Sequence, residues 1–167
     1  MNAAYEELIH LLDKREVSYN ANDERQSICT DLRGDIGVYR VVAHVDADGD
    51  LFQVLGHSPL LVPEGSRPAV AEAVARANYG LRVGKFEIDL DDGELRFQAS
   101  QILTDETVGE AVIDRLISTT MSMLDMYLPA FLSVIYGNEL PKDAIRCVEA
   151  AGCGRRESEG DEQETGS

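Results

Sequence analysis

Residues 116–138 hold a single charged side chain, Asp125, among leucines, methionines, Phe131, Val134, Ile135 and two tyrosines. A helix of this length is apolar all the way round, so one amphipathic face cannot hold it. It must be enclosed by other elements, meet another chain or enter a bilayer. Asp125 at mid-depth of a membrane would cost about 3 kcal/mol. Ser118, Thr119, Thr120, Ser122, Pro129 and Ser133 lower the apolarity further, so a membrane span is rejected.

Two arrangements in water remain. In the first, the stretch is the central helix of a domain, covered by a sheet on one side and by other elements elsewhere. In the second, a stripe off the sheet, Met123, Met126, Tyr127 and Ala130, forms a protein interface. Pro129 has no N–H for the Asp125 carbonyl, which predicts a bend or break in the helix. Met121, Met123 and Met126 precede it, and flexible thioethers serve either an adaptable surface or ordinary core filling.

The rest of the chain reads as α+β. Ala4, Leu8, Leu11 and Leu12 recur at helical spacing over residues 2–16. Residues 17–32 read as extended, with a break near Asn22 and Asp23. Residues 38–45 and 51–55 form a hairpin about Asp46-Ala47-Asp48-Gly49-Asp50. Pro59, Pro63 and Gly65 break regular structure; Ser66 then caps a helix that runs to about Tyr79 and ends at Gly80. Its alanines suit close packing on a sheet, with Val70 and Val74 as the larger contacts.

Phe86, Ile88 and Leu90 alternate with charges, as do Leu95, Phe97 and Ala99, around Asp91-Asp92-Gly93, which predicts a hairpin with one wet face. Asp105 and Glu106 suit the first turn of the long helix. A short helix over residues 141–150 follows. The predicted order is α-β-β-β-α-β-β-α, an antiparallel sheet of about five strands with helices packed on it. One domain spans residues 1–151, and the Gly-, Glu- and Ser-rich residues 152–167 are expected to form a disordered acidic tail.

Charge narrows the function. Thirty-one acids against fifteen Lys and Arg give a net charge of −16, which repels nucleic acid and anionic lipid and favours solubility or a basic protein partner. Three cysteines without paired spacing and no leader-like pattern at the start predict a reduced, cytoplasmic protein. Spacing alone also permits a Cys147–Cys153 disulfide, which a reducing compartment disfavours.

The run Asp46, Asp48, Asp50 resembles the opening of a calcium loop, but the sixth position is Leu51 and the twelfth His57, so a hairpin turn is the better reading. His10, His44 and His57 share no metal-ligand spacing with a cysteine or carboxylate. Cys29 and His44 could face each other across neighbouring strands, although a strand cysteine is usually a small buried hydrophobe. Phosphate-binding glycine loops and nucleophile elbows are absent, and no cofactor is implied.

Val62-Pro63-Glu64-Gly65-Ser66-Arg67-Pro68, Arg76-Ala77-Asn78-Tyr79-Gly80, Gly84-Lys85-Phe86-Glu87-Ile88-Asp89 and Asp92-Gly93-Glu94-Leu95-Arg96-Phe97, with Asp125, Tyr127, Leu128 and Pro129, together resemble the YbjN family. The likeness covers about residues 17–150. It implies a bacterial sensory-transduction regulator with a fold like the chaperones of type III secretion, small acidic dimers that hold a segment of a client protein. No catalytic motif comes with it. The expected function is a non-enzymatic, homodimeric protein-binding module, chaperone-like or regulatory, with a partner the sequence does not name. The alternative is a small-ligand-binding protein or enzyme whose site is assembled only in the fold.

Overall fold

Buried residues alternate with half-buried or exposed ones along the four longer strands and set one wall of the molecule. The computed structural model describes residues 2–104 and 107–164, with side chains described as far as Gly152. Six antiparallel strands form one sheet: β1 (Asn20–Asn22), β2 (Ser27–Arg33), β3 (Val38–Val45), β4 (Leu51–His57), β5 (Lys85–Ile88) and β6 (Leu95–Ile102). Their order across the sheet is β1-β2-β3-β4-β6-β5. Four α-helices among the described residues, α1 (Ala3–Lys14), α2 (Arg67–Tyr79), α3 (Glu110–Tyr136) and α4 (Pro141–Glu164), complete the α+β fold.

The sheet has six strands where the sequence suggested about five. The extended stretch 17–32 is two strands, because Gln26 takes a left-handed conformation (φ 45°) after the Asp23–Gln26 backbone bond and folds β1 back on β2. The acidic hairpin loop is the turn expected of it. Asp46 accepts the N–H groups of Asp50 and Leu51 at 3.1 and 3.0 Å, and Gly49 supplies a positive φ.

Tyr39, Val41, Ala43, Val45, Phe52 and Val54 face the helices and are buried. The opposite face carries Arg40, Val42, His44, Gln53 and Leu55, all half-buried or exposed, as suits an antiparallel sheet covered on one side. α3 crosses β4 and β6. It comes so near that a Cβ at Gly56 would stand 2.5 Å from Thr120 and 2.6 Å from Leu124. α2 packs through Val70, Ala73, Val74 and Ala77 against β5, α3 and α4.

The structure differs from the local expectations at four points. Ser66 makes no side-chain cap, because it closes a 3-10 turn over Glu64–Ser66 that leads straight into α2. α3 begins at Glu110, and Asp105 and Glu106 lie outside the described residues. The helix also runs through Pro129 without a break. A proline inside a helix, which loses one backbone bond and crowds the preceding turn with its ring, costs about 3 kcal/mol. Leu128 and Phe131, buried on either side of Pro129, each return about 1.5–3 kcal/mol. α4 continues beyond residue 150 to Glu164.

Candidate functional site

Asp125, in the middle of α3, ties that helix to the β2–β3 turn. Its carboxylate accepts the N–H of Asp35 at 2.8 Å, the N–H of Ile36 at 3.0 Å and the hydroxyl of Tyr39 at 2.8 Å. The two backbone donors belong to the turn between β2 and β3, closed by Gly34 N–H donating to the Gly37 carbonyl at 2.8 Å, and Tyr39 stands at the start of β3. Gly34 has to be glycine for this approach, since a Cβ there would stand 2.5 Å from the carboxylate. The buried Tyr39 ring and its bond to Asp125 raise the phenol above its usual range.

The pinned turn forms one wall of an open groove of about 580 Å³, with the middle of α3 as its floor and α4 as the far wall. Apolar surface comes from Ile36, Met123, Met126, Pro129, Val148 and Ala151. Met126 lies against Gly152, where an added Cβ would meet its methyl at 2.7 Å. Cys147 opens onto the same space as a free, exposed thiol.

The four residues expected at an interface therefore divide. Met123 and Met126 are half-buried and line the groove. Tyr127 and Ala130, 3% and 2% exposed, belong to the core. Tyr127 packs edge-on to Phe86, with centroids 5.3 Å apart, in an aromatic cluster with Phe97 and Phe131, and its hydroxyl donates to Glu149 at 2.9 Å. α4 covers that side of α3, so the long helix is central through its middle, where the groove leaves Met123 and Met126 half-buried.

Cys29 and His44 share the open face of the sheet but do not oppose each other. Cys29 faces Val42, and His44 faces Ser27 on one side and Gln53 on the other. The Nδ1 of His44 has no hydrogen-bond partner among the described residues. Burial lowers the pKa of His57 against the opposing pull of Glu94, 3.6 Å away. Among the described residues no three His, Cys, Asp or Glu side chains converge as metal ligands would. No helix of the described residues is long and apolar enough to cross a membrane.

Two further clamps had no signal in the sequence pattern. Asn78, in the last turn of α2, donates to the Phe86 carbonyl at 2.9 Å and accepts the Phe86 N–H at 2.7 Å, so a side-chain amide stands where another strand would pair with β5. Arg67 donates to the carbonyls of Val62, Leu90 and Asp91, tying the loop before α2 to the β5–β6 turn. Gly93 (φ 85°) completes that junction, because a Cβ there would meet the Val62 carbonyl at 2.2 Å.

The family model YbjN, described as "Putative bacterial sensory transduction regulator", matches residues 4–133. The solved structure titled "Crystal structure of YbjN, a putative transcription regulator from E. coli" superposes with a TM-score of 0.56 at 15% identity, over 81% of this chain and 90% of that one. The "Structure of the HopA1-SchA Chaperone-Effector Complex" is similar at a TM-score of 0.49 and 11% identity, over 72% of this chain and 88% of that one. No curated protein matches the chain. The similarity to the E. coli structure concerns the fold alone.

Proposed function

The chain belongs to the YbjN family, and from that premise we propose that it is a non-enzymatic regulatory module that acts in the cytoplasm as a homodimer and holds a segment of another protein. The observation that carries this reading is the groove: apolar, lined by two adaptable thioethers and held open by the Asp125 clamp. The residues that carry the family resemblance support it. Arg67, Asn78, Gly93 and Asp125 are all spent on fixing the backbone, leaving none of them as a nucleophile or general base.

Association of two copies is supported by apolar side chains left in water around α2 and β5. Tyr79 is 96% exposed and Leu61 62%, and Leu90 and Val83 are exposed as well. The test is solution mass by light scattering across a dilution series, for the native chain and for Met126→Glu. A dimer in both is expected. A dimer split by Met126→Glu would seat the second copy in the groove, and a folded monomer would overturn the homodimer. A second reading, a small-ligand-binding protein, is favoured by the groove's volume, which falls in the usual range for such sites.

A further inference from the structure

The groove is chemically one-sided. Among the described residues its charged lining side chains are Asp35 and Asp125, with no Lys or Arg. Asp125 is occupied by three donors. The Asp35 carboxylate, on the exposed turn, has no hydrogen-bond or ion-pair partner among the described residues. Around it the chain carries a net charge of −16, a field that attracts cations and repels anions.

We propose that the groove receives a short basic segment of another protein, one large apolar side chain seated among Met123, Met126 and Val148 and a Lys or Arg within a helical turn of it, opposite Asp35. This rests on the protein-binding reading above and adds the chemistry of the partner. An acidic segment would bring like charge against Asp35 and Asp125. The apolar side chains that support association of two copies, Leu61, Tyr79, Val83 and Leu90, lie around α2 and β5 and not among the residues that line the groove. Residues 153–167 of this chain carry Arg155 and Arg156 beside five acids, Glu157, Glu159, Asp161, Glu162 and Glu164, but offer no apolar side chain larger than that of Cys153, so they lack the anchor for the floor.

With only four methionines in the chain the groove is readable by NMR, since Met123 and Met126 lie in it and Met121 does not line it. The experiment uses the full chain labelled at its methionine methyls and three amphipathic helical peptides: one of Leu and Lys, and two matched peptides with Gln or Glu in place of Lys. The Leu/Lys peptide should shift the Met123 and Met126 signals, weaken with salt, and lose about three- to fivefold in affinity with Asp35→Asn but not with the remote Glu24→Gln. The Gln peptide should bind more weakly at the same methyls and the Glu peptide not at all.

Equal binding of the Lys and Gln peptides with Asp35→Asn silent would overturn the basic partner and leave the groove as a protein-binding site. Equal losses in Asp35→Asn and Glu24→Gln would show attraction to the whole field and overturn the placement. Failure of every peptide to move Met123 and Met126 would overturn both readings. Signals that shift on diluting the protein alone, or on deleting residues 153–167, would assign the groove to a second copy or to the chain's own end.

Discussion

Replacing Asp125 with Ala should loosen the β2–β3 turn by an amount the structure lets one apportion. The Asp35 and Ile36 N–H groups lie on an exposed turn and can bond water instead, so each loss is worth about 0.5 kcal/mol. The Tyr39 hydroxyl belongs to a fully buried residue, and orphaning it costs about 1–3 kcal/mol. Together these give about 3 kcal/mol, or a fall in Tm of about 10 °C for a chain of this size. Tyr39→Phe alone should cost about 1 kcal/mol, because Asp125 keeps its two backbone donors. In the double variant no hydroxyl is left orphaned, so it should be about 1–1.5 kcal/mol more stable than the sum of the single effects predicts. Urea unfolding followed by circular dichroism measures all four corners of the cycle. If Asp125→Ala stays within about 0.5 kcal/mol of the native chain, or if the two substitutions simply add, the clamp does not hold the turn.

Asn78→Ala should cost about 2 kcal/mol and speed hydrogen exchange at the Phe86 amide, with Asn78→Asp intermediate, since it keeps the acceptor and loses the donor. Unchanged exchange at Phe86 would remove Asn78 from the edge. Gly93→Ala should prevent stable folding, as its Cβ would meet a backbone carbonyl at a positive φ, whereas Gly65→Ala, with nothing within 4 Å, should leave the thermal melt unchanged within about 0.5 kcal/mol. Burial first, then bonds to carboxylates, raise the pKa of Tyr5 to about 12 and push that of Tyr39 up as well. Both phenols therefore favour the folded state while protonated. Their contribution is complete below the usual tyrosine value of about 10 and is lost as the pH rises through the folded values. Alkaline titration of the native chain and of Tyr5→Phe should show the variant falling less steeply above about pH 10. Lys85 and Arg96 hold Glu87 below the usual range against burial, so its contribution is lost as the pH falls below that range, and Glu87→Gln should flatten the acid limb.

Elements with a local period were legible before any coordinates. The β5–β6 hairpin pairs Phe86 with Phe97 and Ile88 with Leu95, as their alternation with charges required. The division of residues 17–32 showed only as a weakness at Asn22 and Asp23, because the strand it creates, Asn20–Asn22, is polar and exposed and has no period of its own. Met123 and Met126 could be placed on a surface from the surplus of apolar groups on α3. Tyr127 and Ala130 could not be told from them, because what buries them is the docking of α4, and residues 141–150 do not say which side of α3 they cover. Asp125 stood out as a lone charge, but its bond to Asp35 joins residues 90 apart and leaves no local trace. The partners of Asn78 and Arg67 are likewise fixed only when the chain is folded.

The amide of Asn78 also bears on how far such sheets can spread. Strands lengthen a sheet by adding at its rims, and a molecule with two free rims can polymerise without end. Here the β5 rim is occupied at Phe86, and the opposite rim is the three-residue β1. Growth by strand addition thus has a valence of one. Two copies joined through β1 would show Asn78 at both ends and stop there, so one side chain near the end of a helix separates a pair from a fibre.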